Sequence, residues 1–194
     1  MPESCSPDGD VIDCVLSHQQ PAFDHPELRG KKPLHAVGYV SGDEYYGAKA
    51  SINVWAPRIS NQYEFSLSQM WLISGSFADD LNTIEAGFVQ TNNEIAIGAA
   101  ISSSSSYNGG QYDITILIWK DPKHGNWWLE LGSGIVVGYW PSFIFSHLRN
   151  SASMIQFGGE TVNSNPSGYH TSTQMGSGHF AAQGFARASY FRNL

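Results

Sequence analysis

The chain has 194 residues, a length that fits one domain with at most a small appendage. Apolar residues make up 41% and charged residues only 14%, against roughly 25% charged in an average soluble domain, which excludes a disordered or coiled-coil chain. Seventeen acids against ten bases leave a net charge of -7, and Lys and Arg are scattered singly, so no cationic face forms and nucleic acid is excluded as a partner.

In chain order, residues 1–32 carry four prolines, two glycines and little periodicity, and read as a tail or pro-segment remnant. The start, Met1-Pro2-Glu3-Ser4-Cys5, has neither a basic nor an apolar leader region, so no secretory signal is read there; the expectation is a cytosolic chain or a true start further upstream. Cys5 and Cys14 lie nine apart, a spacing that suits a small disulfide loop in an oxidising compartment and equally suits two free thiols. No apolar run approaches the ~18 residues of a membrane helix, and no membrane partner is expected.

After Leu34 short runs of period two dominate, rich in Val, Ile, Tyr, Phe and Trp, the pattern of half-buried strands. Ala48 to Ala56 alternate until Pro57 stops the run. Tyr63, Phe65, Leu67, Gln69, Trp71 and Ile73 form one face of a second strand, and Glu64 reads as a solvent-face acid on the other. Thr83 to Gln90, Ile95 to Ile101 and Tyr112 to Ile118 follow, the last after a hairpin loop of serines and Asn108-Gly109-Gly110. Trp127 to Leu131, Ile135 to Trp140, Met154 to Phe157 and Ala186 to Phe191 complete the set, with one short helix expected over residues 141–150, capped by Ser142. The fold class is all-β, an antiparallel β-sandwich of about nine or ten strands.

The common catalytic signatures are absent: no G-x-S-x-G, no H-E-x-x-H and no G-x-x-x-x-G-K. Ser133 and Ser177 sit in Gly-Ser-Gly contexts that turns use freely, and His170 and His179 lack a third ligand at a metal spacing. Carboxylates are more informative in a chain this poor in charge. Glu85 shares a face with Thr83 and Gly87, which leaves room for a ligand, while Ile84 and Ala86 point the other way. Glu160 follows Gly158-Gly159, a pair that suits a bulge or a close backbone approach. For either residue a strand-end acid exposed to water is the alternative, and Glu130 is a third candidate.

Seven ordered motifs then carry a resemblance: His35-Ala36-Val37, Tyr46-Gly47-Ala48-Lys49-Ala50, Asn53-Val54-Trp55-Ala56-Pro57, Phe65-Ser66-Leu67-Ser68-Gln69, Asn82-Thr83-Ile84-Glu85-Ala86-Gly87, Phe157-Gly158-Gly159-Glu160 and Gln174-Met175-Gly176-Ser177-Gly178-His179-Phe180. Together they closely resemble the plant neprosin-like family. The resemblance implies a secreted glutamic endopeptidase of extracellular, cell-wall or vacuolar location, made with an activation peptide and folded as a β-sandwich. It implies cleavage after proline at acid pH, proline-containing peptides or proteins as substrate, and no cofactor or metal. Its two catalytic glutamates fall on Glu85 and Glu160, and Gln69 resembles a polar position that supports the water or the oxyanion.

On this reading residues 1–32 are the remnant of an activation-peptide-like segment and residues 33–194 a catalytic domain shortened inside and at its C-terminal end. The family pattern normally continues after Gly87 with Trp and several tens of residues, including a Cys pair, and runs on past Tyr190-Phe191-Arg192-Asn193. These departures predict a weak or inactive peptidase. A non-catalytic secreted β-sandwich that binds polysaccharide or protein through its six Trp and nine Tyr stands as the alternative.

Overall fold

The structure is a computed structural model that describes residues 4–5, 11–12, 32–77, 80–90, 101, 103–164 and 170–194. Its strands are β1 (Ser4–Cys5), β2 (Val11–Ile12), β3 (Lys32–Tyr45), β4 (Gly47–Asn53), β5 (Ser66–Ser74), β6 (Asn82–Gln90), β7 (Asp113–Lys120), β8 (Trp127–Leu131), β9 (Ile135–Trp140), β10 (Ala152–Asn163) and β11 (Phe191–Arg192). β1 and β2 pair with each other; the rest form a four-stranded sheet, β3-β10-β5-β6, and a five-stranded sheet, β11-β4-β7-β8-β9, every pair antiparallel. The fold is a β-sandwich, as the alternating pattern requires.

Register decides which side chains meet. Met70 and Leu72 of β5, Ile84 of β6 and Ile155 of β10 share the inner face of the four-stranded sheet. They join one core with Ala50, Ile52, Ile116, Ile118 and Trp127 of the opposite sheet. Burying such side chains contributes roughly 1.5–3 kcal/mol each, which is what clamps the two layers. The odd-numbered positions of β5 face the other way, where Leu67, Trp71 and Ile73 form a second buried cluster with Val37 and Met154 packed on it. β5 is therefore buried on both faces along almost its whole length.

One strand goes unread in the sequence, and two expectations need correction. β3, the longest strand, is not visible as an alternating run, because Gly38 and Gly42 interrupt its apolar positions. The helix expected over residues 141–150 is a single 3-10 turn, Ser142–Ile144, preceded by Pro141 and without a side-chain cap. Tertiary partners take its backbone groups instead: Asn82 Oδ1 accepts from the amides of His147 and Leu148, and Trp127 Nε1 donates to the Leu148 carbonyl. Residues 186–191 are mostly turn, with Ala186 at φ 64° and only Phe191–Arg192 in a strand. Of the run read at Ile95–Ile101, residues 95–100 lie outside the described residues, as does Cys14, one half of the candidate Cys5–Cys14 disulfide.

Glu64 is the clearest reversal. Read as a solvent-face acid, it is 3% exposed. Its Oε1 accepts from the amide and hydroxyl of Ser164, both at 2.9 Å, and its Oε2 accepts from the hydroxyls of Thr171 and Thr173. Burial alone would raise this carboxyl, but those hydrogen bonds outweigh it and hold it below the ordinary glutamate range. Glu64 thus ties the end of β10 to the segment that follows residue 170.

β6 runs without a break through Gly87-Phe88, the point at which the sequence leads one to expect a shortened segment. Gln69 pairs with Gly87, Ser68 with Phe88 and Leu67 with Val89, with no register shift. The junction is therefore a continuous strand edge, and Glu85 stays in register opposite Trp71.

Candidate active site

On the outer face of the four-stranded sheet, cross-strand pairing sets Glu85 beside Trp71 and Gln156, and Gly87 beside Gln69 and Gly158. It sets Leu67 beside Glu160 and His35. Side chains directly opposite on paired strands share a face, so Glu85, Gln69, Glu160 and His35 all project to the same side, away from the main core. The structure thus brings together the three site residues expected from sequence. Glu130 is elsewhere, on β8 opposite Leu117, on the outer face of the other sheet.

The local sequence explains this placement. Gly158 lets β10 and β3 close up: a Cβ there would lie 2.2 Å from the Ala36 carbonyl oxygen and 2.7 Å from the Val37 Cα. Of the two roles open to the Gly pair, close approach is the one seen, since pairing from Met154 to Asn163 against β3 is unbroken. Backbone cannot yield as a rotamer can, so Gly158→Ala is expected to lower stability by about 1–3 kcal/mol and displace Glu160. Urea denaturation checks the first effect, and loss of any Glu160-dependent property checks the second.

The two carboxyl groups differ sharply. Glu85 is exposed and accepts two hydrogen bonds, from Gln69 Nε2 at 2.8 Å and Thr83 Oγ1 at 3.1 Å. Glu160 is 2% exposed, and its Oε1 has no hydrogen-bond partner among the described residues. Burial, and then the negative charge of Glu85, push the Glu160 carboxyl up to about 7. His35 Nε2 lies 3.8 Å from Glu160 Oε2, with the two side chains 3% and 2% exposed. Burial lowers the His35 imidazole to about 4. His35 was absent from the site read in sequence; its only signal there was the His35-Ala36-Val37 motif.

These opposed shifts have a measurable result. Between about pH 4.5 and 7 the folded chain keeps a Glu160 proton that the unfolded chain has released, so stability falls as pH rises. Between about pH 4 and 6.5 the unfolded chain holds a His35 proton that the folded chain lacks, so stability rises with pH. Each slope is about 1.4 kcal/mol per pH unit, and they cancel from about 4.5 to 6.5. Glu160→Gln removes one of them. Relative to the parent chain, its stability is expected to climb by roughly 2–3 kcal/mol across that window, read by chemical denaturation at several pH values.

The other face of β10 serves another space. A cleft of about 1020 Å³ lies between the inner face of β3 and β10, at Ala36, Gly38, Val40 and Phe157, and the C-terminal segment at Met175, Phe180 and Phe191. Neither glutamate lines it. Ser177 is held in a turn, its Oγ accepting from the His179 amide, with Gly176 and Gly178 at positive φ. Among the described residues no group of three His, Cys, Asp or Glu side chains is placed to hold a metal ion, and no helix is long and apolar enough to cross a membrane.

A family model described as Neprosin matches residues 81–194, more than half of the chain, and one described as Neprosin activation peptide matches residues 4–85. The chain belongs to the neprosin family. Membership carries a protease-related function in general terms. The two matched regions meet inside β6, and the folded sheet crosses that boundary: β10, from the neprosin region, lies between β3 and β5, from the activation-peptide region. In this neprosin-family chain His35 and Gln69 come from one matched region, Glu160 from the other, and Glu85 from their overlap.

Proposed function

We propose that this neprosin-family chain is a glutamic endopeptidase that hydrolyses proteins or peptides after proline at acid pH, with Glu85 as general base and Glu160 as general acid. The observation that carries the reading is the asymmetry of the pair. Glu85 is open to water and only accepts hydrogen bonds, as an ionised carboxylate does; Glu160 is buried, with burial and a neighbouring charge holding its proton up to about pH 7. A buried carboxyl that keeps its proton beside an exposed carboxyl that only accepts hydrogen bonds supplies an acid and a base at the same pH.

In the reaction, Glu85 takes a proton from the attacking water as its oxygen bonds to the scissile carbonyl carbon. Glu160 gives its proton to the leaving nitrogen as the C–N bond breaks and the electron pair passes to nitrogen. Gln69 holds Glu85 through one Nε2 hydrogen, which leaves the second for the water or the developing oxyanion. Turnover is expected to be slow, because Glu85 is exposed and bulk water weakens the electrostatic contribution of an open site. The location that fits the family is extracellular, cell-wall or vacuolar.

A polysaccharide-binding module gains less support. On the outer face Trp119 stacks on Trp128 at 6.1 Å between centroids and Tyr139 is tilted against Trp128 at 4.7 Å, so these three rings pack on one another rather than lie side by side as a platform. Incubation of the full chain with proline-containing peptides at pH 4–6, with products read by mass spectrometry, tests the peptidase reading. Cuts on the carboxyl side of proline support it; intact peptide after prolonged incubation with folded protein rejects it.

A further inference from the structure

If Glu160 is the acid of the reaction, each turnover leaves it ionised inside a buried site, and something must return its proton. His35 is placed for this. It stands directly opposite Glu160 across the β3–β10 pair, and its Nε2 approaches Glu160 Oε2 to 3.8 Å with both side chains almost fully enclosed. That distance is too long for a hydrogen bond, but a side-chain movement of about 1 Å would make it one. We propose that His35 is the positioning residue that resets Glu160, being a neutral imidazole while Glu160 is a carboxylic acid and an imidazolium once Glu160 has given its proton away.

The proton count closes. After amide cleavage Glu85 carries the proton taken from water, and Glu160 is a carboxylate. A solvent proton enters on His35 Nε2, where the adjacent carboxylate favours the charged ring. It passes to Glu160 Oε2, and Glu85 releases its proton to solvent, so no net proton is gained or lost. Low burial-set affinity is what makes His35 able to hand the proton on: burial holds the ring down to about 4. Among the described residues, Glu160 on β10 and, through its field, Glu85 on β6 bring charge to this face, and β5 presents the uncharged Leu67, Gln69, Trp71 and Ile73 there.

This inference rests on the peptidase reading, and the experiment separates the two. In the full chain, His35→Gln is expected to lower steady-state kcat about tenfold or more at pH 5 with kcat/KM and the single-turnover rate unchanged, so that KM falls together with kcat, because the first proton is already on Glu160. His35→Ala should regain turnover on addition of imidazole. An equal fall in single-turnover and steady-state rates, or no imidazole rescue, would overturn the assignment in favour of a packing role. A readout that needs no catalysis is the ¹⁵N spectrum of the His35 ring between pH 4.5 and 6.5. A constant minor imidazolium fraction that disappears in Glu160→Gln is the expected result, and identical ring spectra in the two proteins would refute proton sharing whatever the peptidase assay shows.

Discussion

Glu160→Gln is expected to reduce peptide hydrolysis about 10³-fold or more while the sandwich stays folded. The amide keeps the shape of the carboxyl and removes only the proton that the leaving nitrogen needs, and general acid catalysis by a positioned group contributes typically 10²–10⁴-fold. The site gives the substitution little reason to disturb packing: Glu160 is 2% exposed, and its Oε1 has no hydrogen-bond partner among the described residues, so no described bond to that oxygen is lost. Glu85→Gln should be comparably damaging by a different route. It removes the base and breaks the acceptor pair for Gln69 and Thr83, but leaves an exposed neutral side chain. It also removes the charge that helps hold the Glu160 proton, so the Glu160 titration should move down. Peptide turnover, near-ultraviolet circular dichroism and carboxyl titration by infrared spectroscopy distinguish these effects. Retained hydrolysis in either folded variant would remove that residue from the reaction.

The largest effect on stability is expected at Glu64, outside the reaction. Glu64→Ala leaves the Ser164 amide and three hydroxyls, those of Ser164, Thr171 and Thr173, without their acceptor in a buried setting. Each buried donor left unmade costs about 1–3 kcal/mol, and the hydroxyls can turn to other partners in part, so a loss of roughly 3–5 kcal/mol is expected. That is a large share of the 5–15 kcal/mol that holds a typical domain together. Glu64→Gln keeps the side chain's shape and one oxygen acceptor and should lose less. Because hydrogen bonding holds the Glu64 carboxyl below its ordinary value, its contribution is present above about pH 4.5 and fades as pH falls through the lowered value. Urea midpoints for the three proteins at pH 6 and pH 3 check both statements: the differences should shrink at the lower pH.

Much of the site was legible in the chain because strand periodicity is local. The alternation around Glu85 and the glycines before Glu160 depend on neighbours within three residues, and the structure puts both on one face of the four-stranded sheet, Glu85 exposed and Glu160 buried. Glu64 was misread because its partners lie 100 to 109 residues further along, where no local pattern announces them. His35 was missed in the same way: its meaning comes from lying opposite Glu160 across a strand pair, 125 positions away in sequence, since 160 − 35 = 125. The helix expected over residues 141–150 failed because Asn82 and Trp127, brought in by other strands, satisfy its backbone better than an isolated turn could. Local propensity yields there to tertiary hydrogen bonding.

The pH dependence of cleavage tests the central claim most directly. With proline-containing peptide as substrate and the full chain as enzyme, the rate should be highest on the acid side and fall as pH rises through about 7, where Glu160 loses its proton. Metal chelators and serine-directed reagents should leave the profile unchanged. A rate that climbs steadily to pH 8, or that chelation abolishes, would contradict hydrolysis by the Glu85–Glu160 pair.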